Sequence, residues 1–305
     1  AKINFSKKLS LNGFKRQRQT DASLIRIYFR YICVQNRSMY TEYQPSHLLV
    51  PYIDSYWEFK GNPDYGMRIH ILPDGCTDFI FTLGEVANAV EEGSLIMQPY
   101  RSYFVGPMTK YSELVTYTES IHMFGVRFLP CGLSCFTNLP LHEFVNSRVS
   151  TNEMKAVFDD TFIEKLGEQK HVTDRIRVVE EYLLAYLARH YQPADSHVAM
   201  AVNMINHSKG KRSVRSLMDD VCLCQRHFER KFKHYTGFTP KEYSRIVKFK
   251  NAVELLRTTT SANLLTTAVD AGYYDLAHFS KEIKSMSGNT PASFLSLTVP
   301  EETTL

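Results

Sequence analysis

Four sets of residues in this 305-residue chain have types and spacings that chemistry could use. Gln225, Arg226, Arg230 and Lys233 lie close together at helical spacing, so one exposed face would offer forked and point-charge donors to a polyanion. Cys131-x-x-x-Cys135 and Cys222-x-Cys224 could each be half of a metal site. Neither has the two-residue spacing of common zinc knuckles, and the plainer reading is small buried hydrophobes. Asp74 and Asp78 could act as acid and base, but they suit a turn and a strand end equally well. His70 stands alone in RIHIL, without the His-x-His partner that a metal-holding barrel needs. The expectation is therefore no metal, no cofactor, no catalytic residue and no enzyme.

The elements that must position these residues change character along the chain. Residues 1–38 carry nine Lys/Arg against one Asp, residues 39–194 twelve against twenty acids, and residues 195–305 fifteen against eleven. A net charge of +4 thus hides a basic extension, an acidic middle and a basic C-terminal part, the asymmetry expected of a polyanion-binding module joined to something else. Residues 1–38 are expected to be a poorly ordered or non-native appendage before Met39. No apolar run is long enough to span a bilayer, and no signal peptide stands out, so the cysteines fit a reducing cytoplasm and no membrane partner is expected.

From Tyr40 to Leu141 aromatic and β-branched residues alternate between breaks at Gly61-Asn62-Pro63, Pro73-Asp74-Gly75, Gly84 and Gly106-Pro107. Short strands in a barrel or sandwich follow. After residue 150 the period becomes helical. In residues 173–191, Ile176, Val179, Leu183 and Leu187 share one face, which predicts either a dimer helix or packing onto the chain's own barrel, while Arg175 is placed off that face. Gln192-Pro193 ends this helix. The expected division is a domain over 39–192 and another over 196–297.

The second domain is duplicated. RHFERKFKHYTGFTPKEY, residues 226–243, aligns without gaps on AHFSKEIKSMSGNTPASF, residues 277–294. Each copy has the parts of a helix-turn-helix, over 213–236 and 264–287. Ser213 caps a helix with Val214, Leu217 and Val221 inward, and a second helix runs from Gln225 to Tyr235 with Phe228 and Phe232 inward. Gly237 stops it and Thr239-Pro240 starts a helix joining the copies. In the second copy Leu264, Ala268 and Ala271 face inward, Gly272 turns the chain, and Asp275 caps a helix anchored by Phe279 and Ile283. His227 and His278 occupy one repeat slot beside a buried Phe, which suggests packing or a phosphate contact rather than catalysis.

On these motifs, above all AVDAGYYDLAHFSKEIKSMSGNTPASF, residues 196–297 resemble the AraC/XylS family of transcription regulators. Thr267, Ile283 and Cys222 depart from the usual Ile, Phe and turn Gly. The resemblance implies an α+β, two-domain chain: a cupin-like β-barrel with C-terminal helices, then an all-α domain of two helix-turn-helix motifs joined by a linker helix. It also implies a sequence-specific regulator that binds double-stranded DNA in two successive major grooves. Effector sensing or homodimerisation would pass through the first domain, and RNA polymerase would be a partner of an activator. In that setting Gln225, Arg226 and Arg230 suit base edges, and Lys233, Lys248, Lys281 and Lys284 suit phosphates, with Ala277 and Ser280 on the second outer face. Tyr56, Trp57, His70, Phe79, Phe81 and Arg127 are the effector-pocket candidates, each equally suited to a barrel core. The competing readings are a cupin-like enzyme and a cysteine methyl-accepting repair protein. The latter needs activated thiols, and none of Cys33, Cys76, Cys131 or Cys135 has an adjacent basic cluster.

Overall fold

The computed structural model describes residues 32–33, 39–84, 89–91, 97–116, 118, 120–154, 157–158, 160–258 and 264–292. Nearly all of the basic extension over 1–38 lies outside them. Strands β1 (Ile32–Cys33), β2 (Tyr40–Tyr43), β3 (Ile53–Gly61), β4 (Met67–Ile71), β5 (Thr77–Thr82), β6 (Ala89–Glu91), β7 (Ser102–Val105), β8 (Ser112–Thr116), β9 (Ile121–Phe128) and β10 (Arg148–Ser150) form two antiparallel sheets. The smaller has the order β1-β4-β8-β6 and the larger β10-β7-β5-β9-β3-β2. Helices α1 (Asp160–Gly167) and α2 (Val172–His190) follow, then α3 (Ser196–His207), α4 (Val214–Val221), α5 (Gln225–Thr236), α6 (Pro240–Thr258), α7 (Leu264–Asp270) and α8 (Leu276–Ser287). The architecture is α+β: a sheet-rich first part and an all-helical second part.

The larger sheet is covered on both faces, and strand alternation decides which residue faces which layer. Phe79, Phe81, Phe124, Val126 and Phe128 point to one side, where they pack with Phe162, Leu166, Val179 and Leu183 of α1 and α2. Trp57, Phe59, Ile80, Tyr103 and Met123 point to the other and meet Met67, Ile69 and Leu114 of the smaller sheet. Trp57 lies flat where β9 has Gly125, so close that a Cβ there would fall 1.9 Å from the indole.

This alternation separates the pocket candidates. Tyr56, Phe79 and Phe81 are core residues on the helix side, Trp57 and Arg127 belong to the opposite side, and His70 lies on the smaller sheet, stacked on Tyr111 and paired with Glu113 at 3.0 Å. These six side chains therefore do not line one cavity. For the α2 stripe the structure shows the second of the two alternatives, packing onto the chain's own sheet. Val179 and Leu183 are fully buried in the protomer's own core, with Ile176 and Leu187 packed beside them, so that stripe is not a free dimer surface. Arg175 is buried too: it donates to the carbonyls of Leu166 and Gln169 and pairs with Glu58 at 3.1 Å.

One end of the space between the sheets holds a buried ionic cluster. Arg127 lies 3.3 Å from both Glu42 and Asp78 and 3.5 Å from Asp74, and Trp57 Nε1 donates to Asp78 at 2.7 Å. Burial raises the Asp54 and Asp78 carboxyls, and it pushes Glu42 up to about 7 despite the opposing pull of Arg127. Each of these groups holds its proton more tightly folded than unfolded, so its contribution is largest at low pH and is lost as pH rises through the folded value. For Glu42 that loss runs from its ordinary 4.5 to about 7. Glu42→Gln should therefore flatten the decline in melting temperature between about pH 5 and about pH 8, measured by thermal unfolding of wild type and variant side by side.

Candidate nucleic-acid interface

The helical part begins where Asp195 caps α3 by accepting from the amides of His197 and Val198, while Lys231 of α5 donates to its other oxygen at 2.6 Å. Ser213 caps α4 by accepting from Ser216 N, and Leu217 and Val221 are buried beneath it, with Val214 only half-buried. The chain then turns at Cys222 in the left-handed region, φ 54°, where a side chain costs more than a glycine would. Phe228 and Phe232 are fully buried on the inner side of α5, their rings 5.6 Å apart and edge-on. Gly237, φ 82°, caps that helix.

Thr239 and Glu242 open α6 with a capping box: the Thr239 hydroxyl accepts from Glu242 N while the Glu242 carboxylate accepts from Thr239 N. The helix has 19 residues, about 28 Å at 1.5 Å per residue. The second motif repeats the plan of the first. Gly272, φ 86°, turns the chain, Asp275 accepts from His278 N at 2.7 Å, Phe279 and Ile283 are buried, and Gly288, φ 76°, caps α8. The left-handed residue of the turn is Cys222 in one copy and Gly272 in the other, 50 positions apart, whereas the helices that follow are offset by 51. The second turn is thus one residue longer, and gap-free alignment runs only from the recognition helices onward.

These two helices, α5 and α8, present the predicted side chains outward. Gln225, Arg226, Arg230 and Lys233 are exposed on α5, and Ala277, Lys281 and Lys284 on α8, with Ser280 half-buried. Arg230 and Lys281 occupy one repeat position, and Lys233 and Lys284 another. Where α5 has Gln225 and Arg226, α8 has Leu276 and Ala277, so the forked donors concentrate on the first helix. In the unbound chain Gln225 reaches Glu229 at 2.9 Å and Arg230 reaches His227 Nδ1 at 3.2 Å. His278 makes an edge-on ring contact with Tyr273.

Lys248 stands apart from the outward set. It is half-buried on α6, donates to the Gly272 carbonyl at 3.1 Å and lies over the Tyr273 ring; burial lowers its pKa. Its ammonium ties the linker helix to the second turn. Arg245 and Glu282, which form a bidentate pair, hold α8 to the same helix. Neither tie was expected from sequence. A basic residue at helical spacing reads the same whether it points to solvent or to a neighbouring helix.

Cys131 and Cys135 are buried among apolar side chains, and burial raises both thiols away from reactivity. Cys76 is buried and raised for the same reason.

Two helix-turn-helix units on one linker helix define the class: the C-terminal part is a double helix-turn-helix domain. Residues 217–296 match the helix-turn-helix domain family, and residues 41–150 match a domain family of unknown function, DUF6597. No curated protein matches the sequence. Among solved structures, ToxT from Vibrio cholerae aligns over 81% of this chain and 100% of its own, at 9% identity and a TM-score of 0.49. The C-terminal domain of AraT, a response regulator from Geobacillus stearothermophilus, aligns over 36% of this chain and 93% of its own, at 20% identity and a TM-score of 0.33. A probable AraC family transcriptional regulator from Rhodopseudomonas palustris covers 35% and 100%, at 20% identity and a TM-score of 0.32. No helix of the described residues is long and apolar enough to cross a membrane.

The strained turn offers a direct check on this local reading. Cys222→Gly should stabilise the chain by about 1 kcal/mol, because an exposed non-glycine residue at φ 54° gives way to one without a Cβ. Denaturant unfolding of the two proteins measures it.

Proposed function

We propose that the protein is a transcription regulator that binds double-stranded DNA by placing α5 and α8 in successive major grooves. One observation carries the reading: equivalent helices of a duplicated motif, each buried by a matched pair of side chains (Phe228 and Phe232, Phe279 and Ile283), expose Arg or Lys at the same two repeat positions. A major groove about 12 Å wide admits such a helix. Grooves on one side of the duplex recur about every 34 Å. The linker helix of about 28 Å is comparable to this separation.

Within this reading Arg226 and Arg230 pair with guanine edges, Gln225 with adenine, and Lys233, Lys281 and Lys284 with phosphates. Residues 211–250 hold eleven Lys/Arg against four acids and residues 251–297 three against four, so the first motif supplies most of the electrostatic affinity. The acidic first domain keeps away from the phosphates and acts on the helices through the contacts it makes with them. In this reading a small-molecule effector or a dimer partner acts upstream of those contacts, and RNA polymerase downstream if the protein activates.

Selection of duplexes from a random library should yield a two-part site whose parts are about one helical turn apart. On that site Arg226→Ala should cost about 1–3 kcal/mol and relax the preference at one base pair. Lys233→Ala should weaken all sequences alike and lower the slope of log affinity against log salt by about 1. An unchanged slope would remove Lys233 from the phosphate contacts.

A further inference from the structure

The caps of the two recognition helices share an unexpected neighbour. Gly237 and Gly288 are equivalent residues of the repeat, both left-handed, and both lie against the first domain. A Cβ on Gly237 would fall 2.5 Å from Pro107 Cγ, and one on Gly288 would fall 2.8 Å from Tyr111 Cζ. Pro107 and Tyr111 belong to one connection, residues 106–111 between β7 and β8. Two residues four positions apart, at most about 14 Å of chain, therefore touch both motifs.

This connection is braced from behind. Gly106 N donates to the Ser147 carbonyl at 3.0 Å, the Pro107 carbonyl accepts from Asn146 N at 2.8 Å, and Thr109 N donates to Asn146 Oδ1 at 2.8 Å. Gly106 lies so near the Phe144 carbonyl that a Cβ would meet it at 1.9 Å, which pins the backbone further. Tyr111 is stacked on His70, ring centres 5.8 Å apart and planes 11° from parallel, and His70 is held by Glu113. Both contacts fall at the C-terminal ends of α5 and α8. A recognition helix reads base edges mainly with its N-terminal residues, so this grip leaves the reading ends free.

We propose that the 106–111 connection is a brace that sets the distance between the two recognition helices, with Pro107 and Tyr111 as its positioning residues, so that the first domain determines which half-site spacing the protein accepts. The inference rests on the two-groove reading above. The linker helix holds the second motif through Arg245–Glu282, Lys248 and an apolar core that includes Phe249, Val253, Phe279 and Ile283; Tyr111 adds a contact from the first domain at the C-terminal end of α8. Loss of the Tyr111 ring removes that contact without touching any residue assigned to DNA.

The test uses the full chain and the best duplex from random selection, remade with one or two base pairs inserted or removed between its two parts. The wild type should lose at least tenfold in affinity on each altered spacing. Tyr111→Ala should lose less than threefold, while its affinity for a duplex carrying only one part stays that of the wild type. Identical spacing profiles for the two proteins would overturn the brace and leave the two-groove reading standing. Selection of a one-part site by the wild type would overturn the two-groove reading and the brace with it. Thermal unfolding accompanies each variant. If Tyr111→Ala loses its cooperative transition, Tyr111→Leu, which removes the ring but keeps apolar bulk against the fold, is read by the same two outcomes.

Discussion

The seating of Tyr243 is the contact on which both halves of the molecule depend. This residue sits in the second turn of α6 with only 2% of its surface exposed. Its ring packs against Phe232 and Phe238 on the helical side, and a Cβ on Gly75 of the β4–β5 turn would lie 2.8 Å from it on the other. Its hydroxyl donates to Asn206 of α3 at 2.9 Å. The consequence is visible along the whole of α6, where Pro240, Ser244, Ile246, Val247, Phe249, Asn251, Ala252, Val253 and Leu256 are also buried. A helix covered around most of its circumference is a core element, not a surface spacer. It carries two helix-turn-helix motifs on some sides and a sheet domain on another.

Polar contacts at the same junction have a consistent direction. Lys250 of α6 donates to the Asp74 carbonyl at 3.0 Å, and the Asp74 carboxylate in turn faces Arg127 inside the first domain. His234 of α5 meets Asn138 at 3.0 Å. Leu72 and Cys131 of the sheet domain belong to the same apolar cluster as Val198, Phe232 and Tyr243. A change in the buried ionic cluster therefore has a short covalent and hydrogen-bonded route to the linker helix, through the β4–β5 turn. The acidic first domain contacts the basic second one through carbonyls, apolar surface and a few specific pairs, which leaves the arginines of α5 exposed.

The double helix-turn-helix was legible because its determinants are local. Caps at Ser213 and Asp275, stops at Gly237 and Gly288, and pairs of apolar residues four apart all act within one or two turns of helix, and a repeat at a period of 51 shows the stops and the apolar pairs twice. The effector-pocket candidates lie in different layers, and the reason is complementary. Tyr56 and Trp57, adjacent in sequence, point to opposite layers of a sheet buried on both faces. A strand covered on both sides shows no alternation between apolar and polar residues, so nothing in its sequence tells the two faces apart. The α2 stripe was visible as a stripe, but its partner was not: an apolar face reads alike whether its own sheet or another protomer covers it.

Arg175, Arg245 and Lys248 mark the boundary between the two kinds of information. By composition each is a solvent-exposed cation on an amphipathic helix. In the folded chain each is held by a partner, Arg175 by Glu58, the still exposed Arg245 by Glu282, and Lys248 by the Gly272 carbonyl together with the Tyr273 ring. The sequence by itself determined the class of elements, the duplication, the turn chemistry and the outward basic face of α5, since these depend on residues near one another along the chain. Only the tertiary structure decided which cations hold the fold, which face of the sheet each aromatic fills, and that a single connection of the first domain touches both recognition helices. Those outcomes depend on which distant surfaces meet, and side-chain type carries no record of its partner.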